Sequence, residues 1–309
     1  MTEVITREGQ DRLQQAGRLM RRAAIASVSV SLFLVGIKTF AYFASHSVAM
    51  LASLGDSALD LFTSGLNLIA IRSALTPADA EHRFGHGKAE PLAGLAQGAF
   101  ISASALFLVL QAVNRILAPE PIDHSLEALV VMFIAMTCTI ALVLYQRKVI
   151  ARTGSLAVEA DHSHYLSDLS TNLGVVLALV LSSALGWNLA DPLIAILVAG
   201  IMLYTAWGVG QTSFHQLMDR ELPDEERQRI CRIALSHTSV KNVHDLRTRM
   251  AGLSTFIQLH LALDPKMSLA EAHTVSDAVE QALRAAYPGA DVIIHQDPAG
   301  LEPLPGLPE

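Results

Sequence analysis

Apolar runs broken by short polar stretches fill the first two-thirds of the chain, and then the period changes. Six runs approach the roughly 20 apolar residues that a helix needs to cross hydrocarbon. They cover about 23–44, 48–74, 90–115, 125–146, 160–185 and 189–210, and acids interrupt the second and the fifth. From about Thr212 the pattern is that of a small mixed domain. LPDEERQRICRIALSH reads as an amphipathic helix opened by Pro223. Val243–Arg249 reads as a strand. In Thr255–Leu263, Phe256, Gln258 and His260 fall on one side and Ile257, Leu259, Leu261 and Leu263 on the other. Ser268–Ala286 reads as a helix with a Ser268-x-x-Glu271 capping box, and Asp291–Gln296 as a last strand. The predicted architecture is a polytopic α-helical membrane protein with six transmembrane helices, followed by a cytoplasmic α+β ferredoxin-like domain of order αββαβ. Its parts are a cytoplasmic N-terminal tail at 1–20, a six-helix transmembrane domain at 21–211, a cytoplasmic metal-binding domain at 212–300 and a disordered tail at 301–309, which holds three prolines.

Composition agrees with a membrane assignment. Of 309 residues, 51% are hydrophobic and 17% charged, against about 25% charged in a soluble domain, and the mean hydropathy is +0.39. A net charge of −7 argues against a nucleic-acid partner. Cys138 and Cys231 stand alone, without a CxxC, and read as packed thiols. The N-terminus MTEVITREGQDRLQQAGRLMRR lacks the early apolar core of a cleaved signal peptide. Arg18, Arg21 and Arg22 precede the first run; Arg72, Arg83 and Lys88 flank the second loop; Arg147, Lys148 and Arg152 lie in the fourth. The first and fifth loops have no Lys or Arg, and the third has only Arg115 at its edge. The positive-inside rule then places both termini in the cytoplasm.

The acids within the runs carry the chemistry. Asp56 and Asp60 are four apart, on one helical face, and His164 and Asp168 repeat that spacing in the fifth run. Three carboxylates and one imidazole make four ligands, enough for a tetrahedral Zn²⁺. Ionisable residues at membrane depth are functional by default. The alternative is a buried hydrogen-bond cluster or structural ion pairs, but no intramembrane arginine is available to balance three acids. Lys38, the one nearby base, lies toward the far end of the first run. Glu159, Asp161 and His162 fall nearer the interface and read as solvated helix-end residues, with His162 open as a ligand on the way in. Asn67 and Asn172 read as polar packing.

Two further clusters follow. Asp79, His82 and His86 sit at i, i+3 and i+7 in a short loop, where they close on one metal or stay ordinary loop residues; spacing alone leaves both open. The small domain holds His244, His260, His273, His295 and Asp297. His295 and Asp297 share a strand face, and the five either converge or are scattered surface residues. His46, His124, His215 and His237 lack such partners and read as structural or exposed.

SLGDSALD, HRFGHGKAEPLAGLAQ, HYLSDLSTN, LMDRELPDEERQ, HDLRTR, FIQLHL and DVIIHQDP together resemble the cation diffusion facilitator family, in particular its bacterial zinc and ferrous-iron efflux pumps, over roughly residues 20 to 298. The resemblance implies a transport site at Asp56, Asp60, His164 and Asp168, a loop site at Asp79, His82 and His86, and a binuclear site at His244, His260, His273, His295 and a bridging Asp297. It also implies a homodimer in the bacterial inner membrane, with a Lys88–Asp219 ion pair joining the membrane part to the cytoplasmic domain. The Asp/His combination looks like the zinc–iron type, while the donor set does not by itself exclude Fe²⁺, Cd²⁺, Co²⁺ or Mn²⁺.

These features predict a proton-coupled exporter of divalent metal, with the lipid bilayer, metal ions, protons and a second copy of the chain as its partners. No P-loop couples ATP and no HExxH supplies a hydrolytic water, so no enzyme is expected. A membrane-anchored metal sensor would need no polar foursome at membrane depth, and an intramembrane metalloprotease would need an open water-activating position.

Overall fold

The computed structural model describes residues 2–45, 48–117, 126–185 and 189–300. His46, His124 and the tail at 301–309 lie outside the described residues. The elements run α1 (Thr2–Ser45), α2 (Val48–Ala74), α3 (Ala89–Leu117), α4 (Leu126–Thr153), α5 (Leu156–Leu185), α6 (Ala190–Leu217), α7 (Asp224–Leu235), β1 (Asn242–Ala251), β2 (Ser254–Leu263), α8 (Leu269–Ala286) and β3 (Asp291–Pro298). They form two compact units: Arg18–Phe214, and Met1–Gly17 together with His215–Glu309. The segment read as a tail at 1–20 is instead the start of α1. Its Glu, Gln, Arg and Leu are good helix formers, and Leu13 packs on Gly289, within the small unit.

Among the described residues, four helical stretches are long and apolar enough to cross a membrane: Asp11–Ala44, Ala89–Leu117, Val130–Thr153 and Ala190–Leu217. α2 and α5, at 27 and 30 residues, match them in length. They are the two that carry Asp56, Asp60, Asp161 and Asp168, and those acids dilute their hydropathy. α3 and α6 meet through Ile101 and Ala105 against Val198, Ala199, Met202 and Ala206. Their backbones approach closely because Gly94 lies against Ser213 and Gly98 against the Ala206 carbonyl, the small-residue packing usual between membrane helices. α1, α4 and α5 share a second core of Ala26, Val30, Leu142, Val143 and Tyr165. Large apolar side chains point outward, and Phe40, Phe133, Tyr204 and Trp207 are 73–82% exposed. A bundle solvated by water would hide so much apolar surface; one solvated by lipid need not.

The small unit is a three-stranded sheet of order β1-β2-β3, antiparallel then parallel. Its elements follow the predicted order αββαβ, with α8 as the crossover between the parallel strands. β2 contributes Ile257, Leu259, Leu261 and Leu263 to a core closed by Ile230 and Ala234 of α7 and by Val275, Val279 and Leu283 of α8. Ser268 and Glu271 form the full reciprocal capping box. Because both helices cover one face, the residues alternating with that core lie on the other.

Candidate metal centres

Asp60 sits near the middle of α2, and His164 and Asp168 lie one turn apart on α5. His164 Nε2 is 3.2 Å from Asp60 Oδ1 and 3.6 Å from Asp168 Oδ2. Ligand atoms of the three lie within 4.8 Å of one another. Asp168 Oδ2 is buried without a hydrogen-bond partner. An orphaned carboxylate oxygen beside an imidazole nitrogen and a second carboxylate suits a dication. Asp56 stands outside this group and is exposed; like charges four apart on a helix repel, which opposes its turning inward beside Asp60.

Two residues near this group differ from their sequence reading. Asp161, expected at a solvated helix end, is 1% exposed. Its Oδ2 accepts from Ser27 Oγ at 2.5 Å and from Gln146 Nε2 at 2.8 Å, which ties α5 to α1 and α4. Tyr165, four residues on, places its hydroxyl 2.5 Å from Ser31 Oγ and 2.8 Å from Ser64 Oγ, which ties α5 to α1 and α2. A buried acid keeps its place when its neighbours donate to it. Lys38, read as remote, donates from Nζ to Ser57 Oγ at 2.7 Å and to the Ser53 carbonyl at 3.1 Å, on the same α2 turns as Asp56 and Asp60. Glu90 is a second buried acid, unnoticed in the sequence. It accepts from Ser155 Oγ at 2.8 Å and from the Ala157 amide at 3.4 Å at the start of α5, where a negative charge is favoured. His162 is half-buried, with an unpartnered Nδ1, and is not part of the group. Asn67 is buried, in keeping with polar packing.

The second cluster occupies the turn before α3. Asp79 Oδ1 accepts from the amides of His82 at 2.6 Å and Glu81 at 2.9 Å, a turn built by an aspartate side chain. The His82 amide holds the Asp79 carboxyl below its ordinary value, with the Glu81 amide and the charges of His86 and His82 assisting against burial. Gly85 takes φ +78, a conformation costly for a side chain. That turn brings His82 Nδ1 to 3.5 Å and His86 Nε2 to 3.4 Å from Asp79. Lys88 follows in the same turn region. Asp219, just past α6, has φ +55 and accepts from Arg249 at 3.2 Å.

The third cluster lies on the open face of the sheet. Strand register aligns His244 with His260 and His260 with His295, one histidine per strand in a row. Asp297 sits at its centre. Its Oδ2 is 2.7 Å from His260 Nδ1 and 3.1 Å from His244 Nε2, while its Oδ1 is 3.3 Å from His295 Nε2. Burial pushes the Asp297 carboxyl up, but the hydrogen bond from His260 and the charges of the three histidines outweigh it, so it sits below its ordinary value. A bulge after His244 puts Asp245 at φ +47, with Oδ2 3.5 Å from His260 Nε2. Asp245 was missed in the sequence, and its Arg247 fork partly neutralises it. His273 does not join. It is 71% exposed and faces Asp277 at 3.7 Å, because Val275, Val279 and Leu283 turn the opposite side of α8 to the sheet.

Comparison with known proteins covers both units. The family described as the cation efflux transmembrane domain matches residues 24–218. The family described as the cation efflux protein, cytoplasmic domain, matches residues 222–299. The cation-efflux pump FieF of Escherichia fergusonii is 47% identical over 293 residues, which span 95% of this chain and 97% of that one. FieF of Escherichia coli matches with the same identity and coverage.

Proposed function

The chain belongs to the cation efflux family, in its transmembrane and its cytoplasmic part alike, and on that premise we propose that it exports divalent metal cations from the cytoplasm in exchange for protons. It is a transporter and not an enzyme. The observation that carries this reading is the convergence of Asp60, His164 and Asp168 in mid-helix, on two long helices whose apolar runs are broken by acids.

Zn²⁺ is the cargo the donors suit best: carboxylate oxygens and an imidazole nitrogen on a small, open scaffold. Asp56 is the fourth ligand, its side chain turning inward once a cation offsets its repulsion from Asp60. Fe²⁺, Cd²⁺, Co²⁺ and Mn²⁺ are secondary cargo, since raw affinity rarely discriminates among such ions. A proton on His164 removes the lone pair that a metal needs, so metal and proton exclude each other there, and exchange follows. Alternating access then turns the site from one side of the bilayer to the other.

The other clusters serve this cycle. Asp79, His82 and His86 form a second site on the cytoplasmic edge. His244, His260, His295 and a bridging Asp297 hold up to two ions, each carboxylate oxygen facing different histidines. The working form is a homodimer in the bacterial inner membrane, with both termini cytoplasmic. A sensor without transport gives no reason for acids in mid-membrane.

Reconstituted flux tests the reading. Purified protein in liposomes should take up Zn²⁺ under an imposed pH gradient and move protons the other way. Asp60→Ala should abolish uptake while the protein elutes at the wild-type volume. Normal uptake by that variant would refute the site.

A further inference from the structure

Lys38 is the only charged residue of α1 between Ala23 and Ser45. An ammonium in that position needs a reason, because lysines in membrane spans ordinarily reach for the interface. This one reaches α2 instead. Its two hydrogen bonds go to Ser53 and Ser57. Ser57 is buried and stands between Asp56 and Asp60 in the chain. Asp56 and Asp60 flank Ser57 on the same turns of α2. The two α2 oxygens therefore hold the ammonium on the acidic stretch of that helix.

We propose that Lys38 is a fixed counter-charge that matches the α2–α5 site to a dication. This rests on the transport reading given above. Asp56, Asp60 and Asp168 supply three negative charges, His164 is neutral when it ligates, and Lys38 supplies one positive charge. Two negative charges remain, and one dication cancels them. Without Lys38 the loaded site keeps a net negative charge in a medium that penalises it. The cation is then held too tightly to leave.

The bland alternative is a staple, in which Lys38 only ties α1 to α2 through hydrogen bonds. Substitutions separate the two. Lys38→Gln keeps a donor and removes the charge, Lys38→Arg keeps the charge, and Lys38→Met keeps only the length. The assay is Zn²⁺ flux in proteoliposomes, reading KM and Vmax, with elution volume as the folding control. For a counter-charge, Gln and Met should both lower KM about tenfold or more, since one unit charge beside a partly buried site is worth at least that much. Both should lower Vmax as release slows, and Arg should stay within about threefold of wild type in each parameter.

A Gln variant with wild-type KM and Vmax would overturn the proposal in favour of the staple. A Met variant that raises KM or leaves it unchanged would overturn it too. Should Lys38→Met aggregate, Lys38→Gln decides alone, because its amide still donates to Ser53 and Ser57. The proposal requires a folded Gln variant with a lower KM, and a folded Gln variant with wild-type KM or an aggregate would end it. If the wild-type protein moves no Zn²⁺ at all, the transport reading has failed. If only the Lys38 variants behave like wild type, the counter-charge alone has failed.

Discussion

Asp161 offers the sharpest test of how the bundle is held. Replacing it with Ala removes one carboxylate oxygen that accepts from Ser27 and from Gln146, both on other helices. Ser27 has a fallback, because its hydroxyl is also 3.1 Å from the Ala23 carbonyl. Gln146 keeps only its longer contact to Ser27, at 3.1 Å. Two interhelical hydrogen bonds are lost, each about 0.6–1.7 kcal/mol in helical membrane proteins, so Asp161→Ala should cost about 1–3 kcal/mol. In a unit of this size that is a fall of roughly 3–10 °C in apparent melting temperature. Asp161→Asn is the informative partner. Its carbonyl can accept from the same two donors, and its amide replaces Oδ1, which has no partner. Gln146 Oε1 is likewise unpartnered. Asn should therefore melt within about 2 °C of wild type. The assay is a melt in detergent followed by size exclusion. An Ala variant within about 1 °C of wild type would return Asp161 to the solvated helix end that the sequence suggested. An Asn variant as damaged as Ala would show that the charge, not the hydrogen bonds, is what the site needs.

Other outcomes follow from the same geometry. His164→Asp turns the α2–α5 group into an all-oxygen site, so Mn²⁺ flux should rise relative to Zn²⁺ and the pH dependence between about 6 and 8 should flatten; an unchanged Zn/Mn ratio counts against His164 as a ligand. Asp297→Ala takes away the one carboxylate that three histidines share, and the zinc bound per chain, measured by equilibrium dialysis and metal analysis, should fall by up to about two. Equal stoichiometry in wild type and variant would rule out a bridge. Tyr287 is pushed up to about 12 by burial and by Glu226, whose carboxylate accepts its hydroxyl at 2.5 Å. A raised value means stability that is complete below the unfolded tyrosine value near 10 and is lost as pH climbs from about 10 to about 12. The ultraviolet titration of wild type minus Tyr287→Phe should show a step near 12, and a difference step near 10 would contradict it.

Most of the architecture was legible because each part rests on a period. Helical spacing put Asp60 on one face and His164 with Asp168 on another, and the structure needed only to bring α2 beside α5. Strand alternation put His260 opposite Leu259 and Leu261, and the capping box fixed the start of α8. What alternation does not carry is register. That His244, His260 and His295 are neighbours depends on how three strands slide against one another, and a slip of one residue would turn a row of histidines to the wrong face. Within one chain His273 stands apart from that row. It lies two residues before Val275, about 200° around the helix at 3.6 residues per turn, and the Val275–Val279–Leu283 stripe already marked which side faces the sheet.

Distance from the end of an apolar run is a poor guide to Asp161 and Lys38. The face a residue occupies is the better guide. Asp161, His164, Tyr165 and Asp168 follow i, i+3, i+4 and i+7 on α5, so an acid that shares a stripe with two ligands points inward whatever its depth. On α1, Ser27, Ser31 and Lys38 fall at i, i+4 and i+11, on one face, while Ser29 returns its hydroxyl to the Ile25 carbonyl of its own helix. Ser27 and Ser31 meet Asp161 and Tyr165 of α5, and Lys38 meets Ser53 and Ser57 of α2. In lipid there is no hydrophobic drive to join two helices, and polar groups gain most by facing one another. A polar stripe on a spanning helix therefore marks the side that turns to the bundle interior, and here the stripes of α1, α2 and α5 face one another.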